Sequence, residues 1–330
     1  MTPDLQIAII GCGLIGQKRA QSVRNRAAVK VCCDINTGKA EVLARQHGAD
    51  TVTDWRSAVA REDIDTVFVC TTHDLLSPIA EHAASYGKHV FIEKPGARRA
   101  DELNAVAEAA RATGARVRVG FNHRYHRSLQ RAREIYDSGA IGDLLYIRGR
   151  YGHGGRIGYD AEWRALPAVS GGGEAIDQGV HLIDLARWFL GDLHLMGGSA
   201  PTYFWNMPVE DNAFLLLETD KRQVAFLHAS WTEWKNLFSF EICGRTGKLE
   251  ITGLGGSYGT ERLAHYQMLP EMGPPPTTIY EYPMADDSWE LEFSEFLKDI
   301  ELRRTPQPGI AEAQAALRIV EQLYAHTHRT

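Results

Sequence analysis

The sequence predicts an α/β protein whose first part is a parallel, doubly wound sheet and whose second part is an α+β unit with a mainly antiparallel sheet. Up to about residue 122, apolar strand-like runs alternate with helical patterns, which is typical of βαβ units. After about residue 140, strand-like stretches follow one another with short turn signals between them, which indicates an antiparallel sheet. We therefore expect two domains, 1–122 and 123–330, with the last helix packing back on the first domain.

The individual elements follow from apolar periodicity and turn residues. In the first domain, strands are predicted at 6–10, 29–33, 65–70, 89–92 and 116–121, and helices at 14–26, 37–47, 75–86 and 100–113. In the second, strands are predicted at 144–150, 213–218, 224–231, 237–243 and 248–251, and closing helices at 288–302 and 310–326. Because ligands of parallel sheets bind beyond the carboxyl ends of the strands, the residues just after each strand are the candidate site residues.

The first strand runs into a glycine-rich turn of the form G-x-G-x-x-G, followed by a helical pattern. Gly11 suits the tight turn, Gly13 allows a pyrophosphate to approach the backbone, and Gly16 allows the helix to pack on the strand. The helix N-terminus supplies N–H groups and a positive dipole end for the anion. The pattern predicts a dinucleotide-binding Rossmann domain. The predicted contacts of this turn are Gly11, Cys12, Gly13, Leu14, Ile15 and Gly16.

Asp34 ends the second predicted strand, 18 residues after Gly16. A carboxylate at this point hydrogen-bonds ribose hydroxyls and repels a 2′-phosphate. The sequence therefore predicts NAD as the cofactor, in preference to NADP.

Two segments carry groups suited to proton transfer. Three glycines, Gly171–Gly173, lead into a predicted helix with Asp177 and His181 four residues apart, which puts both side chains on one helix face. The glycines are expected to let a ligand approach the backbone. Lys94 follows a strand end, and Pro95 after it biases the lysine to an extended backbone and makes this peptide bond a candidate for the cis form.

Taken together, Gly11–Gly16, Glu93-Lys94-Pro95 and Gly171–His181 resemble the Gfo/Idh/MocA family of NAD(P)-dependent sugar and inositol oxidoreductases, over almost the whole chain. The resemblance implies a Rossmann domain followed by a large open antiparallel sheet, and dimers or tetramers formed through that sheet. It also implies catalytic roles for Lys94, Asp177 and His181. Members commonly oxidise hydroxyls of sugars, inositols or nucleotide sugars.

Further cofactor contacts are expected after the third and fourth of these predicted strands. The chain departs from the family there: many members have Pro-Asn after a threonine and a histidine a few positions on, whereas this chain has Leu76 at the latter position. The predicted contacts are Thr71, Thr72, His73, Glu93 and Lys94.

Oxidation of a secondary alcohol removes a hydride from carbon and a proton from oxygen, and the nicotinamide takes the hydride. An imidazole titrates near neutral pH, so His181 is a candidate base, with Asp177 orienting it and Lys94 stabilising the developing alkoxide. The alternative makes Lys94 the base, with its pKa lowered by burial and a nearby histidine. The sequence leaves both assignments open.

The predicted substrate contacts are Lys94, Asp177 and His181 together with four further side chains. Asn122 and Arg124 follow the last strand of the first domain. Arg156 and Arg164 flank a glycine-rich loop before the catalytic helix, where arginine suits a phosphate. Arg148 and Arg150 precede the same loop, and the alternative is that these two alternate on the solvent face of a strand.

Composition excludes several classes of partner. The net charge of −6 gives no general attraction to nucleic acid or to an anionic membrane. No apolar run reaches the length of a membrane helix, and Met1–Asp4 lacks the features of a signal peptide. The five cysteines form no zinc pattern or disulfide framework, and no histidine has metal-ligand spacing. We expect a cytoplasmic protein without a metal.

The function predicted from the sequence is transfer of a hydride between a secondary sugar hydroxyl and NAD, the sugar being free or nucleotide-linked. Three alternatives stay open. They are an inositol or free-polyol dehydrogenase, a redox-neutral enzyme that retains NAD and cleaves a glycosidic bond, and a non-catalytic sugar sensor on the same scaffold.

Overall fold

A computed structural model describes residues 5–327, so the Met1–Asp4 segment, on which the signal-peptide prediction falls, lies outside the described residues. The chain divides into two compact units. The first comprises Met1–Phe121 and Trp289–Ala315, and the second comprises Asn122–Ser288 and Ala316–Thr330. The penultimate helix therefore belongs almost wholly to the first unit, and the last helix contributes residues to both.

The first unit contains a six-stranded parallel sheet in the order β3-β2-β1-β4-β5-β6. This order, with β1 near the centre, is the doubly wound arrangement whose switch point lies between β1 and β4. The strands are β1 Leu5–Ile10, β2 Ala27–Cys33, β3 Asp50–Val52, β4 Thr66–Val69, β5 His89–Glu93 and β6 Val117–Gly120. The connecting helices are α1 Leu14–Val23, α2 Thr37–His47, α3 Trp55–Val59, α4 His73–Ser85 and α5 Leu103–Thr113.

The apolar runs of this sheet are buried because helices cover both of its faces. β4 is buried along its whole length. Phe68 on β4 packs against Phe91 and against Phe293 and Phe296, with ring centroids 5.2–6.5 Å apart. The last two rings belong to a helix near the C-terminal end of the sequence, which therefore completes the core of the first unit.

The second unit contains an eight-stranded sheet in the order β14-β13-β12-β11-β7-β10-β9-β8. Every neighbouring pair is antiparallel except β7 and β10, which run parallel. Its strands are β7 Leu144–Gly152, β8 His194–Ser199, β9 Asn212–Glu218, β10 Val224–Ser230, β11 Leu237–Gly244, β12 Gly247–Thr252, β13 Glu261–Gln267 and β14 Thr277–Tyr282. The remaining helices of the chain are α6 Arg127–Asp137, α7 Pro167–Ser170, α8 Val180–Leu190, α9 Ser288–Glu301 and α10 Ile310–Thr327.

One face of this sheet is packed against the rest of the second unit, and the other is exposed and carries both charged and apolar side chains. On the packed face, a Cβ at Gly149 would lie 3.0 Å from the Phe240 ring and 3.2 Å from Leu182 of α8, so the glycine lets this helix approach β7 closely. On the opposite face, Arg148 bonds Glu241 at 2.7 Å across neighbouring strands. Neighbouring residues such as Arg148 and Gly149 thus face opposite sides of the sheet, as the two-residue period of a β-strand requires.

The predicted fold class is confirmed, since the first sheet is parallel and the second is mainly antiparallel. The elements that were not predicted are β3, α3, α6, α7, β8, β13 and β14. Of these, β3, α3 and α7 are short and β8 and β14 lie at the edges of the second sheet, and such elements leave weak patterns in the sequence. Within residues 5–327, no helix combines the length and apolar character needed to cross a membrane, and no group of three or more His, Cys, Asp or Glu side chains is arranged to hold a metal ion.

Candidate active site

The glycine turn after β1 is shaped partly by the protein's own backbone and partly left open. Gly11 has φ +93°, and a Cβ there would lie 2.4 Å from the Cys70 carbonyl oxygen. A Cβ at Gly16 would lie 2.0 Å from the Gly11 carbonyl oxygen, whereas a Cβ at Gly13 would meet nothing within 4 Å. Gly11 and Gly16 therefore close the turn against α1, and Gly13 leaves its outer side clear for a ligand.

Asp34 is held beside this turn by two backbone hydrogen bonds. Its Oδ2 accepts the N–H of Cys12 at 2.8 Å, and its Oδ1 accepts the N–H of Asn36 at 2.8 Å. The carboxylate thus lies between the carboxyl end of β2 and the turn, with lone pairs left for further donors. This arrangement fits the ribose of a dinucleotide.

The segment after β4 forms the start of α4. Thr72 donates a hydrogen bond from its hydroxyl to Asp74 at 2.6 Å, and His73 is buried. Leu76, which departs from the family pattern, is fully buried in this helix. Its apolar side chain therefore serves the packing of α4 rather than a polar contact.

Glu93 ends β5 and forms an ion pair with Arg19 of α1. Arg19 is fully buried and also bonds Glu292 at 2.6 Å. Burial raises the pKa of Glu292 to about 7 even though Arg19 acts to lower it. Because Arg19 engages the Glu93 carboxylate, this side chain ties the glycine-turn helix to the strand that precedes Lys94, a role that the sequence did not predict.

Lys94 itself is half-buried, and its peptide bond to Pro95 is cis. It lies in the first unit, whereas Asp177 and His181 lie in the second. That the three side chains act together stays a prediction from the sequence.

Two of the three glycines before the helix that carries Asp177 and His181 lie against other parts of the second unit. A Cβ at Gly172 would lie 1.9 Å from the Tyr324 hydroxyl oxygen, and a Cβ at Gly173 would lie 1.9 Å from the Glu210 carbonyl oxygen. Close packing within the second unit therefore accounts for both glycines. That these glycines also admit a ligand to the backbone stays a prediction from the sequence.

Glu210 anchors this segment through its buried carboxylate. It accepts the N–H groups of Gly173 and Ala175, each at 3.0 Å, and the Tyr324 hydroxyl at 2.7 Å. Burial raises the pKa of Glu210, while these hydrogen bonds favour its ionised form. An acid at the amino end of a helical segment also complements its dipole.

The helix that follows begins with a π turn at Ala175–Gly179 and continues as α8. Asp177 lies on the π turn and His181 on the first turn of α8. They are 6% and 4% exposed, respectively, so both are almost fully removed from solvent. π turns of this kind occur often at functional sites, because they re-aim side chains out of the α-helical register.

Arg164 bonds the candidate acid directly. Its Nε donates to Asp177 Oδ2 at 2.9 Å, and its Nη1 lies 3.7 Å from Glu162. Burial acts to lower the pKa of Arg164, but Asp177, Tyr159 and Glu162 together outweigh it and the net shift of the pKa is upward. A permanently charged guanidinium at this position favours the ionised form of Asp177.

Aromatic rings surround His181. The His123 ring stacks on it with centroids 3.8 Å apart, and Tyr151 meets it edge-on at 6.2 Å. Burial and the neighbouring Tyr258 raise the pKa of Tyr151 well above its usual value, so this phenol stays protonated. His181 therefore lies in an enclosed environment where electrostatic interactions are strong.

The other predicted substrate contacts have partners within the second unit. Arg124 forms two hydrogen bonds to Asp184, both at 2.7 Å. Arg156 is 65% exposed and bonds Glu162 at 2.7 Å. The Asn122 amide donates to Ser288 at 3.0 Å.

Two family models match this chain. One, an oxidoreductase family with an NAD-binding Rossmann fold, matches residues 5–121, and the other, the Gfo/Idh/MocA C-terminal domain, matches residues 129–250. The chain belongs to the Gfo/Idh/MocA family. The first unit is an NAD-binding Rossmann domain, and NAD is the cofactor expected from Asp34.

Several relatives in this family are dehydrogenases of polyhydroxyl compounds. The chain is 30% identical to levoglucosan dehydrogenase of Pseudarthrobacter phenanthrenivorans over 222 residues, which are 63% of this chain and 56% of that protein. It is 26% identical to scyllo-inositol 2-dehydrogenase (NAD(+)) of Bacillus subtilis over 321 residues, 93% of this chain and 89% of that one. The matches to the levoglucosan dehydrogenase and to an uncharacterized oxidoreductase of Bacillus subtilis each span just over half of the length of that relative.

Solved structures of the family share the fold along the whole chain. A levoglucosan dehydrogenase in complex with NADH and levoglucosan superposes with a TM-score of 0.88 at 22% identity, covering 98% of this chain and 97% of that one. An aldose-aldose oxidoreductase from Caulobacter crescentus, complexed with glycerol, superposes with a TM-score of 0.84 at 22% identity, covering 99% and 98%.

Sequence reasoning missed the residues that support the family motifs. Arg19, His123 and Tyr151 contact motif residues from distant parts of the sequence, and so do Glu210 and Tyr324. The signal available was the Glu210-Asp211 pair directly before a predicted strand, since acids placed there have backbone N–H groups within reach. The other four, Arg19, His123, Tyr151 and Tyr324, follow no local pattern.

Replacing Asp34 by alanine should narrow the preference of this family member for NAD over NADP. The change removes the carboxylate that repels a 2′-phosphate and also frees the Cys12 N–H. We expect NAD affinity to fall about tenfold or more, as for loss of a charge-assisted hydrogen bond. Titration with NAD and with NADP measures the difference between the two affinities in wild type and in Asp34→Ala. The control is Asp50→Ala, since Asp50 is an exposed acid paired with Arg61. Equal binding of the two cofactors by the wild type would contradict the prediction.

Proposed function

We propose that this protein is an NAD-dependent dehydrogenase that oxidises a secondary hydroxyl of an uncharged sugar or polyol. The observation that carries the proposal is a buried histidine, His181, on a π-to-α junction that also presents an arginine-bound carboxylate, Asp177. A base and a fixed negative charge on one short segment suit removal of a hydroxyl proton.

Each residue then has a role at a stated atom. NAD, when bound, supplies the nicotinamide ring that accepts the hydride. An imidazole nitrogen of His181 accepts the hydroxyl proton, and the Asp177 carboxylate, kept ionised by Arg164, stabilises the resulting imidazolium. The Lys94 ammonium donates a hydrogen bond to the same substrate oxygen and stabilises its developing charge. The alternative, with Lys94 as base, is retained for experiment.

We assign the cofactor to the first unit and the substrate to the second. The proposed cofactor contacts include the open side of Gly13 and the Asp34 carboxylate. Asn122 and Arg124 bond Ser288 and Asp184, respectively, and this favours support of the site over direct substrate binding.

The charges of the second unit favour an uncharged substrate. Arg156 and Arg164, the candidates for a phosphate, bond Glu162 and Asp177, respectively. A phosphate would have to displace these carboxylates or share the guanidinium with them, at a cost in desolvation and repulsion. Inositol and levoglucosan, which appear in the names of relatives, also lack a phosphate.

A panel assay tests the proposal. Purified protein is incubated with NAD and, separately, with free sugars, an anhydrosugar, inositols and UDP-sugars, and NADH formation is followed. We expect net NADH from at least one uncharged compound and none from a sugar that lacks the corresponding hydroxyl. Turnover of a glycoside without net NADH would favour the redox-neutral alternative. Sugar binding without any turnover would favour the sensor.

Two arginine variants separate substrate recognition from support of Asp177. We expect Arg164→Gln to lower kcat about tenfold or more, because Asp177 loses a charged hydrogen bond of about 1.5–3 kcal/mol. Arg156→Gln should leave kcat and KM unchanged, since this exposed arginine pairs with the loop acid Glu162 and with the Tyr159 ring, and not with Asp177 or His181. A KM rise confined to UDP-sugars in either variant would restore the nucleotide-sugar alternative.

We also propose that copies of the chain associate through the outer face of the eight-stranded sheet. That face exposes Phe226 and Leu216 on neighbouring strands, beside a stacked Phe214–His228 pair with ring centroids 4.2 Å apart. Apolar side chains on a sheet face favour association. Light scattering of wild type and Phe226→Glu measures the molar mass of the assembly.

A cytoplasmic location stays the expectation from the sequence.

A further inference from the structure

The imidazole of His123 stacks on that of His181. The ring centroids are 3.8 Å apart and the planes differ by 25°, which is a face-to-face arrangement. Both side chains belong to the second unit and both are buried, at 5% and 4% exposure. His123 lies on a short 3-10 turn at Asn122–Tyr125, far from α8 in the sequence.

The orientation of the His123 ring is fixed on several sides. Its Nδ1 lies 3.3 Å from the Asn122 side-chain oxygen, while the Asn122 amide nitrogen donates to Ser288 at 3.0 Å. The oxygen of Asn122 can only accept, so this contact is a hydrogen bond in the tautomer of His123 that carries a proton on Nδ1. Tyr151 and Phe238 meet the same ring edge-on, with centroids at 5.0 and 5.9 Å.

Placement on a helix does not by itself determine the plane of a histidine ring. The backbone and χ1 set the position of Cγ, but rotation about χ2 is broad and moves both nitrogens. A base must bring one nitrogen within hydrogen-bond reach of the substrate hydroxyl. The ring of His181 therefore needs a neighbour that restricts χ2, and a flat ring 3.8 Å away provides that restriction.

We propose that His123 is a positioning residue for His181, and that its stacked imidazole sets the ring plane in which His181 takes the substrate proton. The inference rests on the proposed function, in which His181 moves that proton. His123 touches neither substrate nor cofactor in this scheme. It acts through the His181 ring, and Asn122 and Ser288 keep His123 itself in place.

Two substitutions at His123 distinguish the effect of a flat ring from the effects of other properties of this side chain. His123→Leu introduces a branched apolar side chain of similar size, which removes both the flat ring and its contact with Asn122. We expect it to lower kcat about 10- to 100-fold, the cost of a misplaced reacting group, with KM and NAD affinity within about threefold of wild type. His123→Phe restores a flat ring and should recover most of the lost kcat. The control is His82→Leu, which removes a ring in contact with Trp55 and Tyr86 of the first unit.

A second measurement does not depend on activity. In protein labelled at histidine, the His181 ring resonance is assigned by its loss in His181→Gln. We expect that resonance to move in His123→Leu and to stay near its wild-type position in His82→Leu. If His123→Leu does not fold, as judged by its thermal transition, Asn122→Ala replaces it, because this change removes the hydrogen bond that holds the His123 ring.

The outcomes are distinguishable. If the wild type oxidises no sugar or polyol, the proposed function fails, while the resonance measurement still tests the stack. An unmoved His181 resonance in His123→Leu overturns the stack itself. Wild-type kcat in His123→Leu, or equal losses in the folded Leu and Phe variants, overturns the positioning role. Recovery by phenylalanine together with a moved resonance in the leucine variant supports it.

Discussion

His181→Ala is expected to lower kcat by about 10²–10⁴, the usual range for loss of a general acid–base group. The reason is the position of His181 on the first turn of α8, where it is buried and stacked by His123. NAD affinity should barely change, because the dinucleotide binds the first unit. Steady-state kinetics and a fluorescence titration of NADH provide the two measurements.

Chemical rescue gives this prediction its control. Added imidazole should restore part of the activity of His181→Ala by supplying the missing base, and it should have no effect on wild type. If His181→Ala turns over at a near-normal rate, the base is Lys94 or water, and the assignment of His181 is wrong.

Lys94→Met is expected to lower kcat by about 10²–10³, the typical loss when one donor to a developing oxyanion is removed. Lys94 follows β5, whose last residue, Glu93, is fixed by the buried Arg19. The Met side chain has similar length and no charge. Kinetics at saturating NAD measure the effect, and Lys94→Arg tests whether charge alone suffices.

Lys88→Met is the matched control for this change. Lys88 directly precedes β5, the same strand that Lys94 follows. In the wild type, the Lys88 ammonium donates hydrogen bonds to the backbone carbonyls of Arg61 and Ile64, at 2.9 and 2.6 Å. This variant should lose stability but keep kcat. If Lys94→Met keeps wild-type kcat as well, Lys94 takes no part in the chemistry. If small amines rescue Lys94→Ala while imidazole fails to rescue His181→Ala, the base is Lys94.

The glycine turn and the strands around it were predictable from the sequence because their causes are local. Gly11, Gly13 and Gly16 follow an apolar run directly, and the spacing alone predicts a strand, a turn and a helix. Asp34 was likewise placed by its position at a strand end. The predicted boundaries of the central strands differ from the observed ones by only one or two residues.

Gly172 and Gly173 show what a local pattern leaves undecided. Their sequence is the same whether a ligand or another part of the chain lies against them. Only the fold brings Tyr324 and Glu210 to 1.9 Å from the positions where side chains would begin. The same holds for Arg156 and Arg164. The exposure of each guanidinium and its pairing with Glu162 or Asp177 depend on how the loop folds.

By itself, the sequence determined the two sheet types, the dinucleotide turn, the preference for NAD and the three candidate catalytic side chains, because periodicity and short motifs act within a few residues. The tertiary structure decided what surrounds those side chains. Arg19 with Glu93 and Glu292, Arg164 with Asp177, and His123 with His181 are pairs brought together across the chain. Such contacts arise from chain topology and side-chain packing, which no local pattern encodes.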